Sequence, residues 1–132
     1  MMNIPQDLRY TKTHEWAKTA PTEVMVGITA HAQKELRDVV YVELPQIGKA
    51  VKQAEPTAVV ESVKAEFDVY APVSGTITRV NEALSASPQL VNQDCYGQGW
   101  FFALQPDQPT DVNTLMEAEE YRKLIDVEPA TE

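Results

Sequence analysis

The hydrophobic positions along the chain fall mostly into short runs with strand character. In "TEVMVGIT", Val24, Val26 and Ile28 share one face at period two, and "RYTKTHEWA" before it reads as another strand, with Pro21 in the turn between. "AHAQKELRD" breaks the pattern: Ala30, Gln33, Lys34 and Arg37 favour a helix and Thr29 is placed to cap it, so a short internal helix is predicted. "VVYVELP" returns to strand and stops at Pro45, with Gly48 beyond. From Val51 to Leu84 the pattern predicts several short strands separated by Pro56, by Pro72 to Gly75 and by Asn81. The clearest alternation is "EFDVYA", with Phe67, Val69 and Ala71 on one side and Glu66, Asp68 and Tyr70 on the other. "GWFFALQP" is a further strand ended by proline. "TLMEAEEYRKLI" then puts Leu115, Ala118, Tyr121, Leu124 and Ile125 on one helical face, and Thr114 followed by Glu117 fits a capping box.

Many short strands with a helix at the end predict a mainly β architecture, a small β-sandwich or flattened barrel whose hairpin tips lie on the surface. One domain over 1–132 is expected, with its core at about 8–126 and with 127–132 having little to bury. One run resists assignment. In "VVESVKAEFDVYAP", Val59 to Pro72, two β-rich pieces flank Lys64, but the link holds none of the Gly, Asn or Pro that ease a tight turn. "AVVESVKAEF" can also be wound as a helix, and periodicity alone does not decide.

Charge removes some functions. Eleven Lys and Arg against twenty Asp and Glu give a net −9, which repels phosphate backbones and anionic lipid, so neither nucleic acid nor membrane is an expected partner. No apolar run approaches the roughly 20 residues that cross a bilayer. The start, "MMNIPQDLRY", lacks the marks of a secretory or transit segment. A cytoplasmic place is expected, or the mitochondrial matrix if a presequence was removed. The single cysteine, Cys95, has no partner for an intrachain disulfide and reads as a packed residue.

Catalytic patterns are missing. The two histidines, His14 and His31, belong to no HExxH or CxxC set, the five glycines form no phosphate loop, and there is no serine elbow. An attacking or Schiff-base lysine needs a depressed pKa. Lys64 has the opposite surroundings, because Glu61, Glu66 and Asp68 favour its ammonium form. It reads better as a substrate: a protruding lysine between the small Val63 and Ala65, with acidic neighbours for a modifying enzyme to recognise. On residue pattern alone, an ordinary solvated lysine fits as well.

Several segments together resemble the H protein of the glycine cleavage system, a lipoyl carrier. They are "HEW" at His14 to Trp16, "VGIT" at Val26 to Thr29, "VELP" at Val42 to Pro45, "VESVKA" at Val60 to Ala65, "PVSG" at Pro72 to Gly75, "VN" at Val80 and Asn81, and "GW" at Gly99 and Trp100. Each is weak alone, but their order and spacing run from about Tyr10 to Lys123. The resemblance implies a flattened barrel-sandwich hybrid of the lipoyl/biotinyl type, two small antiparallel sheets with a short internal helix and a C-terminal helix. It further implies lipoate joined by an amide to Lys64, with Glu61, Ser62, Val63, Ala65, Glu66 and Asp68 read by the enzyme that installs it, a lipoate ligase or an octanoyltransferase with lipoyl synthase.

As partners the resemblance implies glycine decarboxylase (P protein), which loads an aminomethyl group onto the lipoyl arm, and aminomethyltransferase (T protein), which passes the one-carbon unit to tetrahydrofolate and releases ammonia. Dihydrolipoamide dehydrogenase (L protein) then reoxidises the arm, so the chain is a carrier, not an enzyme, and is expected to be a monomer. The family holds the loaded arm against its own surface, and by position Thr13, Glu15 and Asp68 would line that cleft, with Glu15 or Asp68 accepting from the amine. The competing reading has His14 and Trp16 packing the strand while Thr13, Glu15 and Asp68 are solvated.

Two positions depart from the family's pattern. Arg37 stands where a glycine is common after the short helix, a place that suits a positive-φ cap, and Cys95 stands where proline is frequent. A lipoyl relay that donates to other complexes, or a paralogue outside glycine catabolism, fits the same sequence. A biotin carrier would have methionine on each side of the lysine, where Val63 and Ala65 stand.

Overall fold

The computed structural model describes residues 3–127. Among the described residues, nine strands form two antiparallel sheets. They are β1 (Arg9–Tyr10), β2 (Glu15–Thr19), β3 (Val24–Ile28), β4 (Val39–Glu43), β5 (Ala50–Val51), β6 (Pro56–Ser62), β7 (Glu66–Tyr70), β8 (Gly75–Val80) and β9 (Phe102–Pro106). One sheet has the order β1-β2-β3-β9-β8-β5 and the other β4-β6-β7. Helix α1 (Ala30–Leu36) joins the two sheets, α2 (Ala83–Ala86) and α3 (Leu90–Gln93) follow β8, and α4 (Ala118–Val127) ends the described chain. Neither sheet closes on itself, and the mainly β, two-sheet expectation holds.

The inward faces meet in one core. Val26, Val60, Val73, Ile77, Phe101, Phe102 and Leu104 are sealed from solvent there, and Leu36 of α1 and Leu84 of α2 belong to the same core. The period-two residues Val24, Val26 and Ile28 are all buried, as the alternation requires. A second cluster lies outside the first sheet, where Tyr10, Trp16 and Tyr121 are fully buried beside Ile4, Leu8 and Ala118. Trp16 lies across from Gly27 in the β2–β3 register, and a Cβ on Gly27 would stand 2.5 Å from the indole, so the close approach of ring and backbone needs glycine.

Several expected elements are corrected. "RYTKTHEWA" is two strands, because His14 takes φ 74° and turns the chain, which then pairs Tyr10 with Trp16. Pro56 opens β6 rather than separating strands, and Leu84 lies on a helix. The hairpin β6–β7 removes the helical reading of "AVVESVKAEF". The C-terminal helix starts at Ala118 rather than near Leu115, because Met116 and Tyr10 exchange both backbone hydrogen bonds (2.8 and 3.0 Å) and hold that segment extended. Thr114 ends a 3-10 turn (Pro109–Thr114) and donates its hydroxyl to the Asp111 carbonyl, so no capping box forms with Glu117. The tail residues beyond 127 lie outside the described residues.

The internal helix matches its prediction. Thr29 caps α1, its Oγ1 accepting from the Ala32 amide at 3.3 Å. The helix ends on Arg37 at φ 66° and ψ −137°, the positive-φ position expected to favour glycine.

Candidate functional site

Lys64 stands exposed in the turn of the β6–β7 hairpin. That turn has no glycine because Ser62 does the work of one. The Ser62 amide donates to the Ala65 carbonyl at 2.7 Å, and its hydroxyl oxygen accepts from the amides of Ala65 at 3.1 Å and Lys64 at 3.3 Å. Among the described residues the non-glycine positive-φ positions are His14, Arg37 and Ala54, none of them in this turn. The Val63 amide donates to the Asp38 carbonyl at 3.3 Å, which ties the tip to the segment entering β4. Ser62 is therefore buried and spent on the backbone, while Val63 is 81% exposed beside the lysine.

The strands of this hairpin also line a cleft of about 290 Å³. Its walls come from three places: Thr13, His14 and Glu15 at the β1–β2 turn, Ala32, Glu35 and Leu36 on α1, and Val60, Phe67, Asp68 and Tyr70 on the hairpin. The structure thus brings Thr13, Glu15 and Asp68 into one cleft, although they come from two sheets. Asp68 and Thr13 are exposed. Glu15 is only 1% exposed, which overturns the solvated reading for that residue. Phe67 shares the inward face of Val69 but sits past the core's edge, 41% exposed over the cleft.

Glu15 is held from three sides. Thr11 and Thr13 donate their hydroxyls to Oε1, each at 2.5 Å, and the Tyr70 amide donates to Oε2 at 3.0 Å. Burial pushes its carboxyl above the usual range, and these donors oppose that without cancelling it. A buried carboxylate with fixed donors on its inner side suits a cation arriving from the cleft. The His14 and His31 rings lie 4.5 Å apart between centroids with their planes tilted by 39°, and His31 Nε2 lies 3.4 Å from Glu35 Oε2. Among the described residues no group of three or more His, Cys, Asp or Glu is placed to hold a metal.

Glu61 and Glu66 pair across the hairpin beside the tip, Glu66 exposed and Glu61 and Ala65 half-buried. Lys12 and Glu35 line the cleft but did not stand out in the sequence, and Phe67 stood out only as one face of a strand. Glu35 carries a helical signal, one residue from buried Leu36 and three from Ala32, yet nothing local says which way α1 faces. Cys95 is buried and its thiol is pushed up to about 11 by burial, so it remains a protonated packing group whose carbonyl accepts from Trp16 Nε1 at 2.9 Å. No described helix is long and apolar enough to cross a membrane.

Comparison with known proteins agrees on one family. The family model described as Glycine cleavage H-protein matches residues 8–128. The chain is 54% identical over 127 residues to the glycine cleavage system H protein of Thermus thermophilus, covering 96% of this chain and 99% of that one. It is 52% identical over 124 residues to the protein of the same name from Endomicrobium trichonymphae, covering 94% and 100%. The crystal structure of a glycine cleavage system H protein from Mycobacterium marinum superposes with a TM-score of 0.86 at 39% identity, over 94% of this chain and all of that one. With its two-sheet architecture, its hairpin lysine and matches of this extent, the chain belongs to the glycine cleavage H-protein family.

Proposed function

We propose that Lys64 carries lipoate as an amide on Nζ and that the chain shuttles a glycine-derived one-carbon unit between enzymes, catalysing none of the steps itself. The observation that carries this reading is the exposed Lys64 in a turn built by Ser62, in a chain of this family, on the hairpin whose Val60, Phe67 and Asp68 line a cleft that also holds Glu15 and Glu35. When bound, lipoate supplies a ring-strained disulfide that opens to accept the unit and a dithiol that can be reoxidised.

The residues present suit that group. From Lys64 to Asp68 the backbone spans at most about 14 Å, a distance within reach of a lysine stem extended by an acyl chain. Val60, Phe67 and Leu36 offer apolar contact for the chain, and Glu15, Glu35 and Asp68 offer acceptors for an ammonium at its end. A cation there would draw the Glu15 carboxyl back toward its charged form. Tethering raises the effective concentration of the arm at each partner, which suits a carrier without a catalytic constellation.

On this reading the partners are glycine decarboxylase, aminomethyltransferase and dihydrolipoamide dehydrogenase, together with the enzyme that installs the lipoyl group. Coexpression with a lipoate ligase followed by intact-protein mass spectrometry is expected to give one added lipoyl amide, absent in Lys64→Arg. A bare wild-type amine beside an active ligase, or an unchanged adduct in the variant, would overturn the assignment.

A further inference from the structure

Tyr121 is fully buried, and its hydroxyl sits between two walls of the cleft. It lies 2.7 Å from His14 Nδ1, on the β1–β2 turn next to Glu15, and 2.7 Å from Thr29 Oγ1, the cap of α1. Both contacts bridge long stretches of chain. His14 holds φ 74°, a conformation that costs a non-glycine residue energy and persists only where its surroundings fix it. The Tyr121 ring is itself clamped, stacked on Tyr10 with centroids 4.7 Å apart and 9° between planes. The Thr29 amide also donates to the His14 carbonyl at 3.0 Å. The hydroxyl of α4 thus closes a small loop of hydrogen bonds that joins the Glu15 wall to the Glu35 wall.

We infer that Tyr121 is a positioning residue: its hydroxyl fixes the β1–β2 turn against α1 and so sets how tightly the cleft closes on the arm. The consequence for the arm rests on the function proposed above, whereas the hydrogen-bonded link does not. A rigid cleft keeps water from the carried group, which otherwise is lost when R–S–CH2–NH3⁺ and H2O give R–SH, formaldehyde and NH4⁺. Loosening one wall admits water without removing any group that touches the arm.

The test is Tyr121→Phe, which keeps the stacked ring and removes both hydrogen bonds. Its control is Tyr10→Phe, which removes the hydroxyl that donates to the Pro5 carbonyl at 2.6 Å on the same stack. In the unmodified proteins, amide hydrogen exchange at Thr29 is expected to quicken about 5- to 150-fold in Tyr121→Phe, the range that losing two ordinary buried hydrogen bonds converts to, and to stay unchanged in Tyr10→Phe. In the loaded proteins, formaldehyde release is expected to rise by a similar factor in Tyr121→Phe alone, at a temperature where all three are folded by circular dichroism. No change in either rate, a change in exchange without one in release, or an equal change in Tyr10→Phe overturns the inference. If wild-type protein releases formaldehyde no more slowly than a loaded lipoyl-lysine peptide, the docked arm itself is refuted, and Thr29 exchange alone then decides the link.

Discussion

Arg37 illustrates how far a single position can be read in advance. Its place after the short helix suggested a glycine-type cap, and the backbone there does take φ 66° and ψ −137°. The side chain is exposed, and the contacts that hold the ending are main-chain ones: the Arg37 amide donates to the Gln33 carbonyl at 3.0 Å and its own carbonyl accepts from Asn92 Nδ2 at 2.5 Å. The φ is one that L side chains rarely adopt. Arg37→Gly is therefore expected to stabilise the protein by about 1 kcal/mol, the strain relieved less the extra freedom glycine has when unfolded. Thermal unfolding should show a rise of about 3–5 °C in Tm, and an unchanged or lower Tm would mean the ending is not strained.

At the scale of elements, the β6–β7 hairpin presents the lysine through a serine that reads in sequence as part of a recognition motif. Ser62 accepts two amides that would otherwise face into the turn. Ser62→Ala is expected to cost about 1 kcal/mol in urea unfolding and, on the function proposed above, to slow lipoylation of Lys64, with Ser62→Thr recovering most of both. If the alanine variant is as stable as wild type but still modified slowly, the serine is read directly by the modifying enzyme. The strands and α1 were legible because alternation and a cap act within a few residues. The start of α4 was not: Met116 has good helical surroundings in sequence, and pairing with Tyr10 more than a hundred residues away overrides them. The helices after β8, the first of which takes in Leu84 where the pattern predicted strand, are each only four residues long, too short for a periodic signal.

At the scale of the whole molecule, Glu15 couples the sheets, rooted on β2 and accepting from the Tyr70 amide at the end of β7. Its carboxyl is raised by burial, so the folded state holds this proton more tightly than the unfolded chain does. The stability that follows is fully present below the ordinary value of 4.5 and is lost as pH rises through the raised value. Glu15→Gln removes this dependence. The stability difference between variant and wild type should move in the variant's favour as pH rises from about 4.5 toward neutrality, measured by urea unfolding at each pH. A difference that is flat across that range would show that the threonine and amide donors match burial, and one that moves the other way that they outweigh it.

The sequence by itself determined the strand-rich architecture, the capped helix and the isolated lysine, which depend on residue types within short windows, and the family resemblance, which depends on the order of short segments along the chain. Only the tertiary structure decided the cleft. Thr13 and Glu15 meet Asp68 and Glu35 across different sheets and a helix, and the Tyr121 hydroxyl reaches His14 and Thr29 over separations of 107 and 92 residues. Burial turns an ordinary glutamate on a strand into a perturbed acid. Burial and such long-range contacts are properties of the packed chain, and no local window of sequence contains them.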